Sequence, residues 1–236
     1  MRHRAILFDF YGTLAVREGE FEPISQVLAG FGYTAPDDVM WRFFNDGIDG
    51  IEHDEHSQSR DHYVAWQRQR VAGLLTECGV PAGAHEEIAD AFRASAGVGR
   101  MAAYPEVDAV LGDLRARGHR LLICSNWDWD LREALAECGL HMHFDGVVSS
   151  AWVGARKPHP RIYEHCLILA GCAAHEALFV GDTWNCDVAG PAAHGMTPVY
   201  VRRAHREADH TRPDDAHDVH SFADLSGIVD VLEEAR

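Results

Sequence analysis

Arg4-Ala5-Ile6-Leu7-Phe8-Asp9-Phe10-Tyr11-Gly12-Thr13-Leu14 is the stretch that decides the fold. Its unbroken apolar run predicts a short strand buried on both faces. Tyr11-Gly12 breaks it with a turn signal, and Asp9 stands at the strand end. From about Val16 to Arg100 the apolar residues recur at three and four, with no convincing strand. Phe21–Phe31, Pro36–Asp46, Ser59–Glu77 and Gly83–Ala96 read as four helices; Pro36 followed by two Asp marks a start, and Gly79-Val80-Pro81 a stop and restart.

After Tyr104-Pro105 the pattern alternates. Helices are expected at Glu106–Arg117, Trp129–Cys138, Pro160–Ala170, Cys186–His194 and Leu225–Glu234. Strands are expected at Arg120–Cys124, Gly146–Ser149, Ala177–Val180 and Pro198–Val201. Such alternation predicts an α/β fold, a doubly wound parallel sheet covered on both faces. The expected division is a core of about residues 1–15 and 100–236, with an inserted helical cap at 16–99. Ligands of open parallel sheets bind at the carboxyl ends of the strands. An insertion leaving from that end overhangs the site as a lid. Arg202–His220, rich in His and Asp, reads as a solvated loop.

The composition narrows the function. The chain has 236 residues, 47% hydrophobic and 25% charged, close to the globular average. That length suits one large domain, or one domain with an insertion. A net charge of −16 argues against nucleic acid and anionic membrane as partners. No apolar run approaches the ~18 residues of a membrane span, and the N-terminus shows no signal-peptide pattern. The six cysteines lack CxxC spacing and read as buried thiols of a cytoplasmic protein. Of the 21 basic residues, Lys157 alone is lysine.

Four loops carry the chemistry: Asp9 to Leu14; Ser125-Asn126; Ala155 to Pro160 around Lys157; and Gly181-Asp182-Thr183-Trp184-Asn185-Cys186-Asp187. An Asp after a strand is often a helix cap, and Ser-Asn often a turn, but all four fall at one sheet edge. Asp9 and Asp182 at neighbouring strand ends bring two carboxylates together, which is costly unless a cation intervenes. An oxygen donor set with room for waters suits Mg²⁺ and a substrate phosphate. Asp187 is spaced to reach back and hold a metal-bound water. Ser125 and Asn126 offer a hydroxyl and an amide to phosphoryl oxygens, and Lys157 a compact point charge.

In this order (nucleophile loop, helical insertion, Ser-Asn, Lys-Pro, Gly-Asp with a second Asp) the motifs resemble the haloacid dehalogenase superfamily of hydrolases. They match the branch with a helical cap after the first core strand, known as type C1 in subfamily I. The resemblance covers essentially the whole chain. It implies a Rossmann-like core and Asp9 as a nucleophile that forms a covalent aspartyl intermediate. It also implies Mg²⁺ held by Asp9, the Tyr11 carbonyl and Asp182, with Asp187 in support. Thr13, Ser125, Asn126 and Lys157 would position and neutralise the transferred group.

One position departs from the pattern. Phosphatases of the superfamily place a general-acid Asp two residues after the nucleophile, where this chain has Tyr11. An unperturbed phenol, with a pKa of about 10, is a poor base at neutral pH. Tyr there resembles the 2-haloacid dehalogenases, which also share the Lys157-to-Tyr163 spacing. Those enzymes, however, dispense with metal and carry Ser and Asn where Gly181-Asp182 stands here. The favoured expectation is a Mg²⁺-dependent phosphatase of a small phosphorylated metabolite. The alternatives are a metal-free 2-haloacid dehalogenase and a non-catalytic binding protein on the same scaffold. Within the insertion, His53 and His56 are spaced to share a helix face and His62 lies near them, a possible metal or substrate group, though a solvated turn is the commoner meaning. Trp127, Trp129 and Trp184 read either as an apolar wall for substrate or as loop packing.

Overall fold

The computed structural model describes residues 3–19, 22–46, 48–96, 100–204, 211–213, 219–228 and 231–232. Strand β1 (Ala5–Phe8) lies at the centre of a six-stranded sheet with β4 (Arg120–Ser125), β5 (Gly146–Ser149), β6 (Ala177–Gly181), β7 (Thr197–Val201) and β8 (His220–Phe222). The order is β5-β4-β1-β6-β7-β8, and every pairing is parallel. A further pair, β2 (Ala15–Glu18) with β3 (Arg100–Ala103), is antiparallel.

Alternation along the strands makes the two cores. Ile6, Phe8, Leu121, Ile123, Leu178 and Val180 face one side, packed with Leu111 and Leu114 of α5 (Val107–Ala116) and Leu135 of α6 (Leu131–Glu137). Ala5, Leu7, Leu122, Cys124 and Phe179 face the other, against Ile162, Tyr163 and Cys166 of α8 (Pro160–Ala170), which follows the short α7 (Ser150–Val153). With both faces covered, strands must be apolar throughout, which is why β1 is buried at all four positions.

Between β2 and β3 the described elements are helical: α1 (Ile24–Gly30), α2 (Asp37–Trp41) running into a π-turn at Arg42–Asp46, a 3₁₀ turn at Asp54–His56, α3 (Arg60–Glu77) and α4 (His85–Ala96). They bury their own core of Ile24, Val27, Leu28, Leu74, Leu75 and Ile88.

The structure corrects several element expectations. Helical periodicity does not hold from Val16: residues 15–18 form β2, the stem through which the helical segment leaves and rejoins the sheet. Ala15, Val16 and the Met101-Ala102-Ala103 stretch are too short to show a period by themselves. The first expected helix is shorter, and Phe21 lies outside the described residues. Cys186–His194 is not one helix but a π-turn, Trp184–Ala189, followed by α9 (Gly190–Ala193). Much of the expected loop Arg202–His220 lies outside the described residues, and β8 begins at its last residue, since an edge strand needs little apolar character. The expected last helix starts as a 3₁₀ turn at Leu225–Gly227, and much of the remainder of 225–234 lies outside the described residues.

Candidate active site

Parallel register sets the site. Phe8 pairs with both Ile123 and Val180, so Asp9 and Asp182, which follow their strands, and Ser125, which ends β4, leave from one edge. The Asp9 amide still donates to the Val180 carbonyl at 2.9 Å, which fixes its carboxylate between the β4 and β6 loops. Gly12, at φ +88°, lets the chain reverse directly after it.

Asp9 is buried, and its Oδ1 accepts from Ser125 Oγ at 2.9 Å and from Lys157 Nζ at 2.8 Å. Lys157, only 2% exposed, also donates to Asp187 Oδ1 at 2.6 Å. Asp187 Oδ2 accepts from the Thr183 amide at 2.9 Å. Thr13 Oγ1 donates to Asp182 Oδ1 at 3.1 Å. One oxygen from each of Asp9, Asp182 and Asp187 lies within 4.8 Å of the others.

Gly181 permits this approach. A methyl group there would overlap the carboxyl carbon, the Cβ and one oxygen of Asp187. The Gly-Asp pair at the end of β6 is thus one device: the missing side chain makes room for the second acid.

Two of the three carboxylates bond one ammonium. Burial pushes the Asp187 carboxyl up to about 7; Lys157 opposes the rise, and Asp9 and Asp182 add to it. For Lys157, burial disfavours the charge, but the facing Asp187 and Asp9 outweigh it and keep the ammonium protonated. The surplus of negative charge, the all-oxygen donor set and the Gly181 clearance fit a small divalent cation.

The other expected residues are placed as follows. Asn126 is turned onto the Lys157 peptide, accepting from its N–H at 2.7 Å and donating to its carbonyl at 3.0 Å. It braces the lysine loop instead of presenting a free amide. Asp187 is likewise engaged with Lys157 and Thr183 rather than reaching out alone. Tyr11 is 37% exposed, with its ring 6.2 Å from that of Trp127. Trp127 packs edge-on to Phe10 at 5.1 Å, Trp129 lies 6.1 Å from Tyr63, and Trp184 packs on Tyr200 at 5.6 Å. Each of the three tryptophans thus packs on a different ring.

His53 and His56 stack on Trp66 with ring centroids 4.8 and 5.1 Å away, and His62 Nδ1 lies 2.9 Å from Ser59 Oγ at the start of α3. Among the described residues, the Asp9, Asp182 and Asp187 group is the one with metal-binding spacing.

Arg203 was not singled out from sequence. Buried behind the nucleophile loop, it donates to the Thr13 carbonyl at 2.6 Å and to Glu106 Oε1 at 2.8 Å. Its guanidinium lies 3.4 Å from the Tyr104 ring centroid. It follows β7 at the same sheet edge, so the strand-end rule that selects Asp9 and Asp182 would have found it.

A strand-edge site with a buried Asp–Lys–Asp chain, on an open parallel sheet, defines the class. The chain belongs to the haloacid dehalogenase-like hydrolases, whose family profile matches residues 3–195. It is a hydrolase. It is 33% identical over 198 residues to the phosphoserine phosphatase of Thermus thermophilus, covering 82% of this chain and 73% of that protein. It is 34% identical to the glyceraldehyde 3-phosphate phosphatase of Methanothermobacter thermautotrophicus over 55% of this chain and 58% of that protein, which is less than two thirds of its length. The fold is similar to that of the L-2-haloacid dehalogenase of Xanthobacter autotrophicus, solved with chloropropionic acid covalently bound. The TM-score is 0.60 at 21% identity, over 99% of both chains. No described helix is long and apolar enough to cross a membrane.

Proposed function

We propose that this hydrolase is a Mg²⁺-dependent phosphatase acting on a small phosphorylated metabolite, with Asp9 as nucleophile. The observation that carries the reading is the asymmetry of the Asp9 carboxylate. Ser125 and Lys157 both bond Oδ1, which leaves Oδ2 without a hydrogen bond among the described residues, while one oxygen of Asp9 lies within 4.8 Å of an oxygen of Asp182 and of Asp187. Asp9, the Tyr11 carbonyl and Asp182, with Asp187 in support, would hold the ion. When bound, Mg²⁺ supplies charge neutralisation for the nucleophile and the phosphoryl oxygens.

The chain's own residues then do the following. Oδ2 of Asp9 attacks phosphorus, the ester P–O bond breaks, and the leaving oxygen takes its proton from water. Lys157 neutralises Oδ1 and the developing phosphoryl charge, held in place by Asn126. Attack of a water oxygen on the aspartyl phosphate releases phosphate and restores the carboxylate. Tyr11 stands where a carboxylic acid would otherwise give the leaving group its proton, so esters whose leaving group needs little protonation are favoured.

Residues 16–99 act in this reading as a cap over a core of 1–15 and 100–236. Support comes from contacts at the site: Tyr63 and Gln67 of α3 bond Asp128 at 2.9 and 3.0 Å, two residues past Asn126. The net charge of −16 suits small molecules rather than nucleic acid as partners, and six free thiols suit a reducing, cytoplasmic setting.

Tyr11 also favours a second reading, release of halide from a 2-haloacid, where no proton is needed. The acidic Asp182 and Asp187 weigh against it, because they repel a carboxylate close to Asp9 unless a cation is bound. Phosphate release from an ester panel and halide release from 2-chloropropionate, each with Mg²⁺ or EDTA, separate the readings. Phosphate release lost with EDTA is the expected result. Halide release regardless of chelator would replace it with the dehalogenase, and neither product from folded protein would favour a binding role.

A further inference from the structure

Between the helical segment and the Lys157 loop lies a cluster of cationic and aromatic side chains that the reaction above leaves without a role. Residues 50–53 run antiparallel to 154–157, with Glu52 bridged to Ala155. The His53 amide donates to the Gly154 carbonyl at 2.6 Å, Arg156 to Ile51 at 3.1 Å, and Gly50 to Lys157 at 3.2 Å. Side chains alternate in paired extended segments. Glu52 and Ala155 therefore share one side, and His53 and Arg156 the other, as diagonal neighbours. The Glu52 side is electrostatically complete, its carboxylate 2.8 Å from Arg161 and 3.1 Å from His159.

The opposite side meets α3. The His53 ring stacks on Trp66 at 4.8 Å and lies 5.9 Å from Tyr63. Tyr63, Trp66, Gln67 and Arg70 are three and four residues apart and form one helix face. Arg70 lies 5.4 Å from the Trp66 ring centroid, and its N–H groups go to neutral oxygens, Gln67 Oε1 and the Phe43 carbonyl, both at 2.8 Å.

The charges do not balance here. Arg156 is half-buried; its guanidinium has no hydrogen bond or ion pair among the described residues, and its Nε is sealed from solvent without a partner. His53 is 3% exposed, with Nδ1 2.9 Å from Ser57 Oγ and Nε2 buried and unpartnered. Of the nearby acids, Asp128 has Oδ1 committed to Tyr63 and Gln67, Asp54 is bonded to Arg161, and Asp49 lies 3.8 Å from Cys186 Sγ. In a chain with 37 acidic residues and a net charge of −16, a guanidinium left unpaired at this place calls for an anion from outside. The cluster feels its charge: burial and then Arg156 push His53 down to about 4, so the imidazole is neutral and available as a hydrogen-bonding group.

We propose that Arg156, with His53 beside it, is a subsite for a carboxylate carried by the substrate, so that the preferred esters are phosphate monoesters of small hydroxy acids. The guanidinium fork matches the two oxygens of a carboxylate. The cluster adjoins the site through α3: Tyr63, 5.9 Å from the His53 ring, bonds Asp128 two residues past Asn126, and Asn126 holds the Lys157 peptide. A substrate of a few carbons would span from the phosphoryl position at Asp9 to this subsite. It also keeps its carboxylate away from Asp182 and Asp187. The substrate class rests on the phosphatase reading, but the subsite itself is testable without turnover.

The test uses 3-phosphoglycerate and glycerol 3-phosphate, which differ by a carboxylate in place of a hydroxymethyl group. Their affinities are measured by calorimetry with Mg²⁺ in an Asp9→Asn background, with Arg156 intact, Arg156→Met and Arg156→Lys. With Arg156 intact the acid should bind about 30-fold more tightly, the worth of one charge-assisted pairing. The ratio should fall to within about threefold in Arg156→Met and lie between in Arg156→Lys, which keeps the charge but not the fork. A ratio near one with Arg156 intact, or a ratio that survives Arg156→Met, overturns the proposal. Circular dichroism checks folding; should the Met variant fail to fold, a ratio in Arg156→Lys as high as with Arg156 intact overturns the proposal, and a lower one supports it. Nitrophenyl phosphate hydrolysis by the native protein tests the reaction separately. Discrimination without hydrolysis sinks the phosphatase and keeps the subsite, whereas hydrolysis without discrimination sinks the subsite alone.

Discussion

Gly181→Ala adds one methyl group to a core strand, where the change is ordinarily mild, and the structure makes it severe. The new carbon would occupy space held by the Asp187 carboxyl group, which is 1% exposed and cannot swing into solvent. Either the strand shifts, at about 1–3 kcal/mol for overpacking, or Asp187 moves and loses its bonds to Lys157 (2.6 Å) and the Thr183 amide (2.9 Å). Bonds to charged groups are worth about 1.5–3 kcal/mol each. The stiffer unfolded chain returns about 0.4–1 kcal/mol. The net loss expected is about 2 kcal/mol, where the two routes overlap, which for a chain of this size lowers Tm by about 4–8 °C. Gly146→Ala is the control. A methyl there would lie 2.5 Å from Leu169 Cδ2, but Leu169 is a flexible side chain, 41% exposed, so the loss should stay near 1 kcal/mol. Urea unfolding of the two variants beside wild type makes the comparison. Equal losses, or a Gly181→Ala protein within 1 kcal/mol of wild type, would refute the reasoning that Gly181 exists to admit Asp187.

Asp9→Asn should abolish turnover by at least ~10³-fold while leaving Tm unchanged or slightly higher, since one of three crowded carboxylates becomes neutral; activity within tenfold of wild type removes Asp9 from its role. His53 titrates about 4 when folded and about 6.5 when unfolded, so below pH 6.5 the unfolded chain takes up a proton that the folded one refuses. Stability supplied by the neutral ring is complete above pH 6.5 and falls toward pH 4, by on the order of 1 kcal/mol at pH 5 after allowing for residual hydration. Urea midpoints at pH 7 and 5 should therefore separate more in wild type than in His53→Gln, and identical separations would count against it. Tyr11→Asp should speed hydrolysis of esters with poor leaving groups by up to ~10²- to 10⁴-fold, and of nitrophenyl phosphate by less; a loss on every substrate would mean that Tyr11 itself serves the native reaction.

The fold was legible where the sequence repeats a pattern long enough to have a period, and the candidate site where a polar residue interrupts a buried strand. β1 is apolar at every position because helices cover both sheet faces, and Asp9 stands out because nothing polar precedes it. β2 and β3 escaped notice because four residues at the foot of a helical insertion carry no period, and their pairing joins Ala15 to Ala103 across the whole segment. Asn126 was legible as a site residue but not in its use. Its amide fits a phosphoryl oxygen or a peptide equally well, and only the Lys157 loop folding back onto it selects the peptide. Arg203 and Arg156 show a deeper limit. Arginine is the common cation of this chain, so neither residue is marked by type. What distinguishes them is accounting in three dimensions: Arg203 is buried and bonded to Glu106 and the Thr13 carbonyl, while Arg156 is half-buried and its guanidinium bonds no described residue. A sequence reports how many charges there are, and the fold decides which of them are left for a ligand.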